Sequence, residues 1–438
     1  MKTIAVVGFG FCGRLAFFHW AKNLVKESGK KTKILIFDKT EKKGLGTAFS
    51  SFSPFYVLNV PTKKMSAFSD FPQDFCQFLQ KNYPQIWEKT GENGFVPREI
   101  YGEYVDQFTR QAFDLARDKN ADFEFVYEEV VEIFNQKTDE FLLKTKNQKT
   151  FQANQILLAT SFNQVNLAVD FSATNLIQNL WKSGDKKFHQ QIFSNNQTIC
   201  LIGCGLSAVD VIVGLKNKNF SGKIFAISRR GNFCKKHFTQ IQKNFDFISP
   251  QDAKKGVLFL TLKIRNFLRQ NPQFDLRHVA DSVRLKTVEI WQNFDQKNKK
   301  LFLRFLPYWN IFRHRAPASS IEIIEKMIES GQIEIRKKGI KKIVQKGEKI
   351  LVKTASEEIE CDYLVNCLGF EFDPKKYPLF SQMLAQNLLK NDLFLVKSNH
   401  PKIYLLGGLN IGRDFECTSV PDLRVSVENF FQNHSQNH

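Results

Sequence analysis

The 438-residue sequence predicts an α/β protein with two Rossmann-like domains. Two observations carry this prediction. A buried strand, a glycine-rich turn and a helix follow one another near residue 4, and the same succession returns near residue 198. The chain length agrees, because it suits two to three domains. Since each unit of this kind can hold one nucleotide cofactor, the chain is expected to bind two.

The first unit begins with residues 4–7, an apolar run typical of a buried strand. The turn after it has the pattern G-x-G-x-x-G: Gly8 permits the tight turn, Gly10 lets the backbone approach a pyrophosphate, and Gly13 lets helix and strand pack closely. The start of the following helix offers free N–H groups to phosphates. The next strand ends at Asp38, an acid suited to hydrogen-bond an adenosine ribose. This unit is predicted to bind a dinucleotide.

The second unit repeats the order, with an apolar strand over residues 198–202 and a turn of the form G-x-G-x-x-A. An α/β turn without a ligand is the structural alternative for either unit. The turn residues predicted to contact the second cofactor are Gly203, Gly205, Ser207 and Ala208.

The strand after this second helix ends not in an acid but in Ser228, Arg229 and Arg230. Arginines here suit a ribose 2′-phosphate, so the second cofactor is predicted to be NADPH rather than NADH. A solvated basic turn is the alternative. With FAD in the first unit, this pair of cofactors is that of a flavin-dependent oxidoreductase, in which the flavin carries the redox chemistry.

The amino-acid composition, net charge and cysteine spacing exclude several other classes of protein and kinds of site. Hydrophobic residues make up 42% and charged residues 24%, which excludes a mainly disordered chain and a collagen-like fibre. The net charge of +19 favours anionic partners, although the scattered lysines also fit compositional drift. The eight cysteines form no C-x-x-C pair, so neither a metal site nor a redox dithiol is predicted, and free thiols indicate a cytoplasmic protein.

Further motifs lie outside the two glycine-rich turns. They are Gly44 to Ser50, Leu58 to Phe68, Pro97 to Tyr104, Trp309 to Arg315, Asn366 to Gly369 and Thr418 to Arg424. Together they resemble a family of bacterial FAD/NAD(P)-binding proteins, mostly uncharacterised flavoproteins. The resemblance spans nearly the whole chain and is weakest from about 240 to 300. More distantly, the sequence is similar to the lysine and ornithine N-hydroxylating monooxygenases.

The resemblance implies that Asn59, Met65 and Ser66 line the flavin, with core packing of a loop as the alternative. Pro97 suits the first turn of a helix, where the guanidinium of Arg98 is predicted to contact an anion, with a surface position as the alternative. One departure is Ser161, where the family's A-T-G motif has glycine.

Near the carboxyl terminus, the resemblance places Gly408 beside the flavin chain, although Leu409 and Asn410 stand where Gly-Asp is usual. Ser419 offers a capping hydroxyl to a helix that begins near Val420, and the positive end of that helix is expected to face the flavin. The glycine and histidine of the Baeyer–Villiger pattern are missing, so that chemistry is not assigned.

The FAD domain is predicted to be discontinuous, over residues 1–170 and 350–438, with residues 359–365 as the returning strand. The NADPH domain is expected over 175–350, including a helical insertion at about 240–310. We expect this insertion to cover a substrate cavity or pack on the core. Membrane contact is not expected. Nucleic-acid binding is not expected either, because the two cofactor sites already account for anion binding.

The predicted activity is hydride transfer from NADPH to FAD, followed by oxygen activation to hydroxylate a small amine or sulfur compound. Reduction of another acceptor, such as a quinone or a disulfide, is the first alternative. A flavin-binding regulatory protein with little turnover is the second. No His, Ser or Cys constellation predicts a catalytic side chain, and neither the substrate nor the oligomeric state follows from the sequence.

Overall fold

The computed structural model describes residues 2–24, 32–40, 45–46, 48–49, 55–137, 140–181, 193, 196–238, 245–393 and 395–434. The chain divides into two compact units. The first consists of Met1–Ser50, Val60–Phe162 and Phe372–His438, and the second of Ser51–Asn59 and Asn163–Glu371.

The strands of the described residues are β1 (Lys2–Val7), β2 (Thr32–Phe37), β3 (Asp122–Val126), β4 (Val130–Lys137), β5 (Glu140–Thr145), β6 (Thr150–Ala153), β7 (Gln155–Leu158), β8 (Leu176–Ile177), β9 (Thr198–Ile202), β10 (Lys223–Ser228), β11 (Ile333–Lys337), β12 (Ile340–Lys346), β13 (Lys349–Thr354), β14 (Glu358–Cys361), β15 (Tyr363–Asn366), β16 (Leu389–Asp392), β17 (Leu395–Ser398) and β18 (Ile403–Leu405).

The α-helices are α1 (Phe11–Asn23), α2 (Asp74–Asn82), α3 (Pro84–Thr90), α4 (Arg98–Asp118), α5 (Leu206–Asn217), α6 (Val257–Gln270), α7 (Leu276–Val283), α8 (Thr287–Asn293), α9 (Gln296–Arg313), α10 (Ala318–Glu329), α11 (Pro378–Ala385), α12 (Ile411–Asp414) and α13 (Val420–His434).

The core of the first unit is a parallel sheet with the strand order β18-β7-β1-β2-β3. Its central strand β1 is buried along residues 4–7. Such continuous apolar runs are typical of parallel sheets, because helices cover both faces. A separate antiparallel sheet, β4-β5-β6, lies between β3 and β7 in the chain.

The second unit repeats this plan with the parallel order β11-β10-β9-β15-β8. Here too an antiparallel three-stranded sheet, β12-β13-β14, interrupts the chain before the strand that returns beside the centre. In both units the glycine-rich turn follows the central strand, β1 or β9. The prediction of two Rossmann-like cores in an α/β protein is therefore confirmed.

The domain boundary predicted near residue 350 lies elsewhere in the structure. The sequence predicts that residues 359–365 return to the first domain. Instead β14 pairs with β13, and β15 pairs in parallel with β9, with Tyr363 opposite Ile199. The chain therefore stays in the second unit up to Glu371, and the first unit resumes at Phe372. The pairing β15–β9 links segments far apart in sequence, which no local pattern reveals.

The predicted insertion is helical in its described part, from residue 245 onward. It contains α6, α7, α8 and α9 and lies in the chain between β10 and β11. Residues 239–244, at its predicted start, lie outside the described residues. Among the helices that the structure describes, none has both the length and the apolar character needed to cross a bilayer.

Candidate cofactor sites

The first glycine-rich turn is shaped by two glycines that the fold itself requires. Gly8 has a φ of +96°, and a Cβ there would lie 2.9 Å from the Ala159 carbonyl oxygen and the Thr160 nitrogen. A Cβ on Gly13 would lie 2.1 Å from the Gly8 oxygen. Strand β7, the turn and α1 therefore pack closely at the carboxyl edge of the sheet. Any side chain at either position forces them apart.

Gly10 differs from Gly8 and Gly13, because the fold leaves room for a Cβ at this position. It precedes α1 with φ −73°, and its Cβ would stand 3.5 Å from the Gly46 Cα, an ordinary contact. No described side chain caps α1 at this end, so its first N–H groups remain available to an anion. The nearby Thr160 hydroxyl is buried without a hydrogen-bond partner in the described structure. These features fit the phosphates of a dinucleotide.

Asp38 lies at the end of β2 and holds the turn in place. Its Oδ2 accepts a hydrogen bond of 2.9 Å from the Phe9 nitrogen, and its Oδ1 accepts from the nitrogen and hydroxyl of Thr40 at 2.9 and 2.6 Å. A carboxylate has about four acceptor positions, so it can still accept a hydrogen bond from a ribose hydroxyl. Its position therefore agrees with the predicted ribose contact and adds a structural role.

We expect Asp38→Ala to lower both stability and FAD content. The variant leaves the buried Phe9 amide without its acceptor, which costs about 1–3 kcal/mol. Asp38→Asn keeps one oxygen for that amide and is the matched control. Thermal unfolding and flavin absorbance measure the two effects. An Asp38→Ala variant that melts at the wild-type temperature would show that this bond does not hold the turn.

In the second glycine-rich turn, as in the first, one glycine is required by the fold and another leaves open backbone. Gly203 has a φ of +106°, and its Cβ would lie 2.6 Å from the Cys367 carbonyl oxygen, so the fold requires glycine. At Gly205, before α5, a Cβ would meet no described atom within 4 Å. Ser207 is half-buried in the first turn of α5, whereas Ala208 is fully buried. The open backbone at Gly205 suits close approach of a pyrophosphate.

The two arginines that follow β10 have different surroundings. Ser228 accepts a 2.9 Å hydrogen bond from the Gly231 nitrogen and so closes the turn. Arg229 is exposed. The Arg230 guanidinium lies over the Tyr308 ring of α9, 4.9 Å from its centroid, a cation–π contact. Arg229 is therefore the arginine free to reach a 2′-phosphate, and Arg230 is already held by the insertion.

Two of the motifs that carry the family resemblance, Gly44 to Ser50 and Pro97 to Tyr104, meet in the first unit. A Cβ on Gly102 of α4 would lie 2.6 Å from the Phe49 carbonyl oxygen, so glycine there lets the loop before residue 50 pack on the helix. The Phe49 and Tyr101 rings lie 4.6 Å apart. The same loop brings Gly46 against Gly10. Other residues of this motif, namely 44, 47 and 50, lie outside the described residues.

A second set of contacts joins the loop around residue 66 to α4 and α13. The Tyr104 hydroxyl accepts from the Ala67 nitrogen at 3.0 Å and donates to Asp74 at 2.6 Å. Arg424 donates from Nη1 to the Ser66 carbonyl oxygen at 2.8 Å. Met65 and Ser66 are buried, and the Ser66 hydroxyl bonds to backbone atoms of its own loop. Both have a packing role, and the flavin contact stays a prediction.

Asn59 and Arg98 belong to different units. The Asn59 carbonyl oxygen lies 2.9 Å from His237 Nε2, and residues 51–59 are part of the second unit. The residues predicted to line the flavin with it, Met65 and Ser66, belong to the first unit, and the flavin contact of Asn59 stays a prediction. Arg98 is the first residue of α4 and is half-buried, with Pro97 just before it. Its predicted anion contact remains a prediction.

The carboxyl-terminal residues lie where the sequence indicates turns. Gly408 is in a 3₁₀ turn after β18, and a Cβ there would meet no described atom within 4 Å. Ser419 precedes α13, and its hydroxyl donates to the Asp422 carboxylate. Val420 is buried at the helix start. An acid thus already occupies the first turn of α13, which weakens the positive helix end expected to face the flavin.

The thiols offer no reactive group. All eight cysteines are described, free and buried. Burial raises the pKa of Cys12, within the first glycine-rich turn, to about 12 and raises that of Cys417 well above its ordinary value. Both thiols are therefore protonated at neutral pH. Across the described residues, no group of three or more His, Cys, Asp or Glu side chains is placed to hold a metal ion.

Comparisons with known proteins agree with this architecture. Residues 5–163 match the model of a FAD-NAD(P)-binding family. The ornithine N-hydroxylase of Kutzneria sp. 744, solved with reduced FAD, NADP+ and L-ornithine, superposes with a TM-score of 0.68 at 13% identity, covering 99% of each chain. No curated protein matches the sequence.

Two further solved structures share the fold. The ornithine hydroxylase of Pseudomonas aeruginosa has a TM-score of 0.62 at 14% identity and covers 99% of this chain and 98% of that one. The bacillithiol disulfide reductase of Staphylococcus aureus has a TM-score of 0.56 at 11% identity over 100% of both chains. Residues 5–163 therefore match a FAD-NAD(P)-binding family model, within a chain that has the fold of these two hydroxylases and this reductase.

Proposed function

We propose that this protein is an FAD-dependent NADPH oxidoreductase, a monooxygenase that acts on a small amine or sulfur compound. One observation carries the proposal: two parallel sheets each present a glycine-rich turn at the carboxyl end, followed by Asp38 in one unit and by Arg229 and Arg230 in the other. An acid suits the ribose of FAD, and arginines suit the 2′-phosphate of NADPH.

The residues of the first unit would hold FAD. The open backbone at Gly10 and the uncapped start of α1 would bind the pyrophosphate, Asp38 the ribose, and the buried Thr160 hydroxyl gains a partner near the phosphates. In the second unit, Gly205 and the start of α5 would bind the NADPH phosphates. Bound FAD would supply the redox chemistry, taking two electrons as hydride from NADPH and passing them to oxygen.

The hydroxylating reaction is favoured by three solved structures that share the fold over 99% of this chain. They are an ornithine N-hydroxylase, a cadaverine monooxygenase and a lysine monooxygenase, with TM-scores of 0.68, 0.64 and 0.60, against 0.56 for the bacillithiol disulfide reductase. In the proposed reaction one oxygen atom enters the amine or sulfur compound and the other leaves as water, while NADPH becomes NADP+. The second candidate is reduction of a small disulfide, because a bacillithiol disulfide reductase also shares the fold. The protonated thiols of Cys12 and Cys417 do not supply a thiolate for it.

The eight buried thiols support a cytoplasmic location, since free cysteines persist in reducing compartments.

The test uses purified holoenzyme with NADPH and, in turn, ornithine, lysine, cadaverine and a thioether. With an accepted compound we expect NADPH oxidation to be matched by a product one oxygen atom heavier by mass spectrometry, and without one we expect hydrogen peroxide in its place. NADPH oxidation without oxygen but with a small disulfide would replace the proposal by the reductase. Bound FAD with no NADPH oxidation under any condition would leave a flavin-binding regulatory protein.

A further inference from the structure

The helical insertion carries an exposed surface that neither cofactor site explains. We propose that α6 and α9 of the insertion dock on an anionic lipid surface. The surface in question, called the insertion face, consists of Leu258, Leu262, Arg265 and Arg269 on α6 and Lys297, Lys300, Arg304 and Phe305 on α9. This inference does not depend on the proposed activity.

The apolar part of the insertion face is unusually exposed. Leu258 is 66% and Leu262 58% exposed, one helical turn apart on α6, and Phe305 is 47% exposed on α9. Leu285, in the turn between α7 and α8, is 90% exposed. Single exposed apolar residues are common, but several on adjoining helices mark an interaction surface.

Helix α9 is apolar but only partly buried. Counting Pro307, it contains ten apolar or aromatic side chains among its 18 residues; eight are half-buried, whereas Phe305 and Tyr308 are 47% and 52% exposed. By contrast, α6 buries Val257 and Leu260 on its inner side and leaves Leu258 and Leu262 outward. Apolar helices of this kind are stable at an interface that removes the exposed side from water.

The two helices begin at a shared contact. The Val257 nitrogen donates a 2.9 Å hydrogen bond to Asn298 Oδ1, so the start of α6 lies against the first turn of α9. Exposed Leu258 directly follows the donor, and exposed Lys297 directly precedes the acceptor. Both exposed stripes therefore begin next to the contact that joins the two helices.

The positive charge of α6 and α9 indicates which kind of partner binds the insertion face. No acidic residue occurs in residues 253–274 or 296–315, which hold α6 and α9, whereas basic residues are frequent in both. The exposed ones are Lys254, Lys255, Arg265, Arg269, Lys297, Lys300 and Arg304. Lys263 is paired with Asp252, and Arg313 and Arg315 are buried, so these three do not contribute to the surface. A second copy of the chain would bring like charges together, which is costly. Anionic lipid headgroups complement the basic side chains, and the acyl boundary accepts the leucines and Phe305.

The test measures binding of the holoprotein to vesicles by co-sedimentation. We expect binding to vesicles of phosphatidylglycerol mixed with phosphatidylcholine, weaker binding at high salt, and little binding to phosphatidylcholine alone. Arg265→Gln with Arg269→Gln should weaken partitioning about fivefold for each charge removed. Leu258→Gln with Leu262→Gln should weaken it about tenfold or more, because the leucines no longer enter the interface.

Matched controls keep the same chemical change at other exposed positions. Lys341→Gln with Lys342→Gln removes two charges from β12, and Phe71→Gln removes an exposed aromatic ring from the first unit. Both controls should bind vesicles like the wild type, and all variants should keep the wild-type melting temperature and FAD content. Equal loss in the controls, or no vesicle binding by the wild type, would overturn the proposal. So would self-association, measured by light scattering, that the leucine variant abolishes.

Discussion

Gly10→Val should purify as a folded but largely colourless protein. The backbone at Gly10 has φ −73°, which any residue adopts, and a Cβ there lies 3.5 Å from the Gly46 Cα and 3.9 Å from its nitrogen, both ordinary contacts. The fold therefore tolerates a Cβ at this position. A pyrophosphate lying against this backbone does not, and overpacking of a close contact costs about 1–3 kcal/mol. That corresponds to a loss of about 5- to 150-fold in FAD affinity.

Flavin absorbance per chain and FAD titration of the apoprotein measure this effect. Gly10→Ala should lose less affinity than Gly10→Val, which gives a graded series. Gly339→Ala is the matched control, because a Cβ there meets no described atom within 4 Å and lies far along the chain in the second unit. Gly8→Ala should instead lower the melting temperature, because its Cβ meets backbone at 2.9 Å. Normal FAD content in Gly10→Val would refute the pyrophosphate site.

Arg229→Ala combined with Arg230→Ala should raise the Kd for NADPH by about 10- to 150-fold. The reason is that a guanidinium at the end of β10 gains a charge-assisted hydrogen bond, worth about 1.5–3 kcal/mol, only with the 2′-phosphate. The Kd for NADH should change little, and FAD content not at all. High salt should shrink the difference, because Arg229 is exposed. Flavin reduction rates with NADPH and NADH in wild type and variant give the measurement.

The single variants separate the two arginines. Arg229→Ala should account for most of the loss, because the Arg230 guanidinium is held over the Tyr308 ring. Lys341→Ala with Lys342→Ala removes the same charge from exposed positions of β12 in the same unit and serves as the control. The wild type could instead show no preference for NADPH over NADH, or the double variant could lose affinity for both nucleotides equally. Either result would mean that the basic turn is only a solvated surface and does not bind the 2′-phosphate.

Most of the two cofactor sites can be predicted from the sequence. A strand, a glycine-rich turn and a helix are contiguous in the chain, so Gly8, Gly13, Gly203 and Asp38 show their roles through spacing alone. The structure confirms the geometry of both turns. It also assigns Asp38 a second role, because the hydrogen bond from the Phe9 nitrogen joins residues 29 positions apart.

Other features depend on contacts between distant segments. Sequence patterning misplaces the return strand because β15 is as apolar as any central strand, and only its pairing with β9 reveals its sheet. The approach of Gly46 to Gly10 and of Phe49 to Gly102 explains motifs that the sequence presents without a reason. The sequence around Gly46 and Gly102 gives no local signal for their roles. A Cβ on Gly46 would meet Gly10, 36 positions away, and a Cβ on Gly102 would meet Phe49, 53 positions away.

The sequence by itself thus determined the class of the protein, the two units and the residues expected to meet each nucleotide, because those signals are local and repeat. Tertiary structure alone decided where the chain crosses between units, which predicted residues are core, and that α9 leaves Phe305 and Tyr308 exposed. The physical reason is that hydrophobic periodicity records which side of an element is apolar. Whether another element covers that side depends on packing between segments far apart in the chain.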